Sequence, residues 1–271
     1  MKNVLIFNDI SGLGNCSLCA NLPIFTKLGH YCMPVVTATF SCQTGFGHFT
    51  CQKNGNLPQC AADITAQRKP HACYVGFCTD VNLLKQVAQV ATTLDDCYLF
   101  VDPILGDNGA LYSIFNQQYV QEMKKLVQKA QCITPNLTEA CLLADVNYQQ
   151  LISHSNEPTF LAFCGKTFQN FLQQTGAQNA VITGVECGEL VGNIVLEKGK
   201  AVRYVTSARV PINFSGTGDA FSSVLLGELL NDCGLVVATE IAADFVCKAA
   251  TLTQCADRRF GVEFSRVLNN L

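Results

Sequence analysis

Ser215-Gly216-Thr217-Gly218-Asp219 is the stretch of this chain best equipped for chemistry. Two glycines two apart let the backbone turn tightly and bring N–H groups towards a ligand. Phe221, Val224, Leu225 and Leu229 follow with the spacing of a helical face. A helix N-terminus leaves N–H donors unpaired at the positive end of its dipole, which suits an anion. Gly216, Thr217 and Gly218 are therefore read as a cradle for a phosphoryl group in transit. Asp219 falls in the first turn, where the dipole favours its ionised form. There it can accept a hydroxyl proton as phosphoryl transfer proceeds. A glycine-rich turn before an acidic helix start is also common, so the reading depends on the rest of the chain. No Walker A motif competes, because Phe160 stands where the first glycine before Gly165-Lys166-Thr167 belongs.

Three further segments qualify. In Val101-Asp102-Pro103-Ile104-Leu105-Gly106-Asp107, two acids flank a Pro/Gly turn directly after an apolar run. Asp102 or Asp107 could anchor hydrated Mg²⁺, which uses few direct carboxylates and keeps several waters. In Thr134-Pro135-Asn136-Leu137-Thr138-Glu139, Asn136 as N-cap and Glu139 three residues on make a capping-box pair. Glu139 is also placed to meet the hydrated cation. Ala180-Val181-Ile182-Thr183-Gly184 ends in a hydroxyl and a glycine. Thr183 there serves either a phosphate site or a simple turn.

These segments need elements to hold them. Strands are expected at Val4–Phe7, Met33–Phe40, Ala72–Phe77, Tyr98–Val101, Cys132–Thr134 and Ala180–Thr183. Leu190–Leu196 and Val202–Thr206 should form a hairpin. Helical spacing marks Leu18–Leu28, Val81–Leu94, Gln118–Ala130, Asn136–Leu143, Phe160–Gln174, Asp219–Leu230 and Ala238–Leu252. Such alternation predicts an α/β fold of three layers, a mostly parallel sheet with helices on both faces. Ligands of open parallel sheets gather at the carboxyl ends of strands, and all the motifs above follow strands. With no linker or repeat, residues 1–271 are expected to form one domain.

Composition narrows the function classes. Charged residues are only 14% and the net charge is −3, which points away from nucleic acid or an anionic membrane. No apolar run reaches the roughly 20 residues of a membrane helix. A cytoplasmic protein is the expectation. The 16 cysteines are not read as a disulfide framework, which belongs to short secreted chains, and reduced thiols are expected. Cys16-Ser17-Leu18-Cys19, with only His30 and Cys32 near in sequence, is not a full zinc pattern. Cysteine is read here as a small buried hydrophobe.

Taken in order, the segments resemble the pyridoxal/pyridoxamine (vitamin B6) kinases of the ribokinase superfamily, from Asn8 to about Leu230. Asn8-Asp9-Ile10-Ser11-Gly12-Leu13-Gly14-Asn15 resembles the family's first loop, and Phe40-Ser41-Cys42-Gln43-Thr44-Gly45 its substrate loop. Asp102–Asp107 and Thr134–Glu139 resemble its Asp-Pro and Thr-Pro-Asn motifs. The resemblance implies ATP-dependent phosphorylation of the B6 5′-hydroxymethyl group, with Asp219 as base and Gly216, Thr217 and Gly218 on the γ-phosphoryl. It implies Mg²⁺, and a monovalent cation such as K⁺, organised by Asp102, Asp107 and Glu139. It places Thr134, Asn136 and Thr183 along the ATP phosphates, and Asn8, Phe40, Thr44 and Phe77 around the pyridine ring. A homodimer is likewise implied.

Departures fall in the substrate pocket: Gln43 where the family has His, Cys42 where it often has Asn, Asn8 for Ser or His, and Phe77 for Tyr. The nearest rival is a hydroxymethylpyrimidine kinase of the thiamin branch, which carries Cys where Asp219 stands. A non-catalytic ligand-binding relative is a rival of another class. Ser41–Gly55, with three glycines among polar residues, is expected to be a mobile flap. The adenine pocket is expected around Ala249–Gln254.

Overall fold

The computed structural model describes residues 1–271. The chain opens with β1 (Asn3–Ser11), α1 (Leu18–Lys27), β2 (Tyr31–Phe40), β3 (Cys51–Lys53) and α2 (Leu57–Gln67). Then come β4 (Ala72–Val75), α3 (Val81–Ala91), β5 (Tyr98–Val101), and a small hairpin of β6 (Gly106–Asp107) and β7 (Ala110–Leu111). After α4 (Gln117–Val127), β8 (Cys132–Ile133) and α5 (Leu137–Ala144) lie three short helices: α6 (Tyr148–Ile152), α7 (Phe160–Thr167) and α8 (Phe171–Thr175). The chain ends with β9 (Asn179–Cys187), β10 (Leu190–Glu197), β11 (Arg203–Ala208), α9 (Thr217–Leu230) and α10 (Leu235–Leu252).

Nine strands make one sheet in the order β11-β10-β9-β8-β5-β4-β1-β2-β3. The inner pairs from β2 to β9 are parallel. The two ends are antiparallel, through the β9–β10–β11 meander and the short edge strand β3. Side chains alternate across the sheet, as the period of two requires. Leu5 and Phe7 of β1 enter a core with α2 to α8, while Val4 and Ile6 enter another with α1, α9 and α10. That is the expected three-layer arrangement.

Helix α9 lies inside its layer between α1 and α10. Residues Ala220–Gly227 are all buried, so the helix is apolar nearly all round, and its few polar groups face partners. This anchors Asp219 on a rigid element.

The structure corrects several boundaries. Phe160–Gln174 is not one helix but α7 and α8 with a turn between them. Phe160, Cys164, Phe168 and Phe171 keep helical spacing through that turn, and all are buried, so periodicity carried across the break. Helix α2 was not anticipated, because only Leu57 and Ala61 are buried on it. The Ser41–Gly55 segment, expected to be a mobile flap, carries β3, paired through Ala38↔Lys53, Thr39↔Gln52 and Phe40↔Cys51.

Candidate active site

The glycine-rich turn before α9 is shaped by contact. Gly216 takes φ 78°, and a Cβ there would collide with the Asn15 carbonyl. The turn can therefore close on the loop after β1 only as glycine. Gly218 has open space where its side chain would be, leaving the helix start approachable. The Thr217 hydroxyl donates to the Phe214 carbonyl (3.3 Å), within its own turn.

Asp219 is clamped from two sides. The Ser17 N–H donates to its Oδ2 at 2.8 Å, and the Asn8 amide donates to its Oδ1 at 3.2 Å. Ser17 holds φ 52°, a left-handed conformation rare for a residue other than glycine, and this aims its N–H at the acid. The sequence suggested a carboxylate favoured by the helix dipole. In the structure, burial outweighs the two donors and raises the Asp219 pKa above the usual carboxylate value. A raised pKa makes it a stronger proton acceptor than a solvated aspartate.

Asn8 lies within β1, where the register against β2 shifts, with all four hydrogen-bonding positions of its amide used. Its nitrogen donates to Asp219 and to Asn21 Oδ1 (2.9 Å), and its oxygen accepts from the Phe77 N–H (2.9 Å) and the Asp9 N–H (3.1 Å). Its amide thus ties Asp219 to the backbone of Phe77. Phe77 and Phe40 lie edge to face at 6.0 Å, with Phe49 against Phe40 and Phe115 against Phe77. This gives flat apolar faces beside the acid, suited to a ring. Thr44 is exposed on a single 3₁₀ turn, Thr44–Phe46, next to Gln43, whose side chain packs on Gly14.

A second polar cluster lies at the ends of β5 and β8. Asp102 is buried and accepts from Tyr74 (3.2 Å) and Ser222 (3.0 Å). Burial, then the charge of Asp219, push its pKa to about 7. Thr134 bonds Ser222 at 3.1 Å, linking β8 to α9. Glu139 forms the capping box with Asn136, and its other oxygen accepts from the Leu105 N–H (3.0 Å). Burial and the charge of Asp102 raise its pKa well above normal. Asn136 also holds the Gly106 carbonyl (2.9 Å) and bridges to Thr183. Asp107 is exposed and caps Asn108, apart from the buried pair. No three His, Cys, Asp or Glu side chains converge tightly enough to hold a metal directly.

Phe40 ends β2, Phe77, Asp102 and Thr134 follow β4, β5 and β8, Asn8 lies within β1 and Thr183 within β9, and Gly216–Asp219 open α9, while Thr44 lies on an exposed turn and Asp107 is exposed in the β6–β7 hairpin. Sequence reasoning missed Asp9, Ser17, Asn21, Tyr74 and Ser222. Asn21 carried a signal: a fully buried amide among Leu18, Ala20, Ile24 and Phe25 on α1 needs a partner. It finds Asn8 and Ser223.

The parallel sheet with its antiparallel ends, the two helical layers and the glycine-flanked acid opening α9 define a ribokinase-like α/β protein. A model of the phosphomethylpyrimidine kinase family matches residues 14–261. The chain belongs to that family, within the ribokinase superfamily. It is similar to the crystal structure of pyridoxal kinase from Lactobacillus plantarum, with 30% identity and a TM-score of 0.87 over 100% of this chain and 96% of that one. It is 27% identical over 213 residues to the pyridoxal kinase of Arabidopsis thaliana, covering 74% of this chain and 65% of that protein. The match thus spans just under two thirds of that curated relative's length. The hydroxymethylpyrimidine/phosphomethylpyrimidine kinase of Bacillus subtilis is 23% identical over 260 residues, 93% of this chain and 90% of that one.

Proposed function

We propose that this chain transfers the γ-phosphoryl group of ATP to the 5′-hydroxymethyl group of a vitamin B6 vitamer, pyridoxal, pyridoxamine or pyridoxine. The observation that carries the reading is Asp219, held by Ser17 and Asn8 at the open N-terminus of α9 and beside the Phe40–Phe77 wall. The ring packs on these aromatic faces, which directs its hydroxymethyl group towards Asp219. Asp219 takes the hydroxyl proton as the oxygen attacks phosphorus. The N–H groups of Gly216, Thr217 and Gly218 meet the charge on the transferring group. Thr134, Asn136 and Thr183 line the phosphates of the donor.

Mg²⁺ fits the acids present. Asp102, Glu139 and Asp219 are crowded at one edge, and none is ion-paired to lysine or arginine. Asp102 and Glu139 already accept hydrogen bonds, which suits a hydrated ion bound through its waters. When bound, the ion neutralises phosphate charge.

The test is a panel of the three B6 vitamers and hydroxymethylpyrimidine with MgATP, with and without K⁺. Phosphorylation of a B6 vitamer is the expected result, with Asp219→Ala losing most of kcat while largely keeping substrate binding. Wild-type turnover by that variant would remove the base assignment. Hydroxymethylpyrimidine kinase is the second reading, favoured by the family model and by the Bacillus relative. Turnover of hydroxymethylpyrimidine alone would establish it.

A further inference from the structure

Asn21 is a buried amide that the proposed mechanism leaves without a task. It lies on α1 among Leu18, Ala20, Ile24 and Phe25, and it is wholly buried, as are Asn8 and Ser223. Its Oδ1 accepts from the Asn8 amide nitrogen at 2.9 Å, and its Nδ2 donates to Ser223 Oγ at 2.8 Å. The Ser223 hydroxyl donates in turn to the Asp219 carbonyl at 2.6 Å, and the same Asn8 nitrogen donates to Asp219 Oδ1 at 3.2 Å. These four bonds close a ring that begins and ends on Asp219. One end takes its carboxylate and the other its main chain. The ring draws on β1 for Asn8, α1 for Asn21 and α9 for Ser223 and Asp219.

Donors and acceptors fit this ring in one direction. The Asn8 oxygen is taken by the N–H groups of Phe77 and Asp9, so its nitrogen faces Asp219 and Asn21. Asn21 must then present its oxygen to Asn8 and its nitrogen to Ser223. With Ser223 Oγ accepting from Asn21, its one hydrogen goes to the Asp219 carbonyl. We infer that Asn21 is a positioning residue for Asp219: by tying Asn8 to Ser223, it fixes the side chain of the acid against its own main chain. An aspartate has two side-chain torsions, and a buried ring anchored at both ends of the residue leaves them little play. Removing one member leaves a buried donor or acceptor unpaired, so the others shift to find partners. Such a shift misplaces the carboxylate that must meet the substrate hydroxyl.

The effect of Asn21 on rate rests on the kinase reading; its effect on position does not. The reporter of position is the Ser17 N–H, which meets Asp219 Oδ2 from outside the ring. Ser223→Ala removes one oxygen, bonded only to Asn21 and the Asp219 carbonyl. In ¹⁵N NMR of the full chain without substrate, that variant should shift the Ser17 amide and the Asn8 side-chain amide together. Both should also exchange with water several-fold faster than in the parent. Unmoved Ser17 and Asn8 signals overturn the ring, whatever the substrate. Moved signals with no alcohol phosphorylated remove the kinase reading and leave Asp219 held through Asn21. Where turnover is measurable, Asn21→Ala and Ser223→Ala should each lower kcat about tenfold, the scale of one hydrogen bond, with KM within about twofold. The double variant should lose little more than either single one, because one break opens the ring. Losses that multiply would show two independent supports and overturn it. Should Asn21→Ala fail to fold, Ser223→Ala decides alone. An unchanged kcat, or a fall in kcat/KM that comes wholly from KM, overturns the positioning role.

Discussion

Gly216 shows how little freedom a single position has at this site. Its φ of 78° and the neighbouring Asn15 carbonyl exclude a side chain on two separate grounds. Gly216→Ala should cost about 2 kcal/mol in urea unfolding. It should also lower kcat roughly 100-fold, the scale of losing one donor to a transition-state charge. Asp9 is constrained in the opposite sense, since its burial works against stability. The folded state keeps its proton up to about pH 6, whereas an unfolded aspartate loses it near 3.8. The stabilisation from that extra proton is complete below 3.8 and lost as pH rises through 6. Ionised Asp9 then costs the native state about 3 kcal/mol at neutral pH. Asp9→Asn should therefore raise the thermal midpoint at pH 7.5 and leave it nearly unchanged at pH 3.5. A variant that gains nothing at neutral pH would show that Asp9 carries no buried charge.

Among the elements, the segment after α10 links the loops around the site. The Arg258 carbonyl accepts from Ser215, the Phe260 carbonyl from Asn15, and the Arg259 carbonyl from the Gln43 side chain (3.0 Å). Phe46 at the tip of the Ser41–Gly55 segment packs on Phe260 and under the Arg259 guanidinium. The proposed flap is therefore latched at its tip while its far limb is pinned by β3. Arg259→Ala combined with Phe260→Ala should speed proteolysis within Ser41–Gly55 several-fold in the free protein and raise KM. Ligands should slow the cleavage in both proteins, and equal cleavage of variant and parent would remove the latch. Much of this level was legible in the sequence. The continuous apolar strands and the motif after each strand could be read because burial on both faces and strand-end turns leave local signatures. The latch could not be read, because its bonds run mostly through backbone carbonyls, which any sequence supplies. Helix α2 and strand β3 were hidden for a related reason: both lie near an exposed edge and bury too little to set a pattern. Asn8 was placed at the site by its motif. Its role as a tie between Asp219 and Phe77 depends on partners 211 and 69 residues away.

At the scale of the whole molecule, the cysteines report how the layers hold together. All 16 are free thiols. Cys73, Cys78, Cys141 and Cys164 are buried in the core covered by α2 to α8, and Cys132 in the core covered by α1, α9 and α10. Burial pushes the thiols of Cys132, Cys141 and Cys164 up to about 12. Since only the thiolate reacts, these groups are protected by both access and charge. Cys51, exposed on the edge strand β3, should be the first alkylated in the native protein. Its thiol is also raised by partial burial, so its rate should climb as pH increases above neutrality. The five buried thiols should stay unlabelled until the chain unfolds. One sheet separates the two cores, and alternate residues of β1 belong to each. Neither core can open without baring the other face of the same strands. Pulsed alkylation across a urea series, read by mass spectrometry, should therefore expose Cys132 at the same midpoint as Cys73 and Cys164. Separate midpoints would show that the two layers unfold independently and that the sheet does not join them into one cooperative unit.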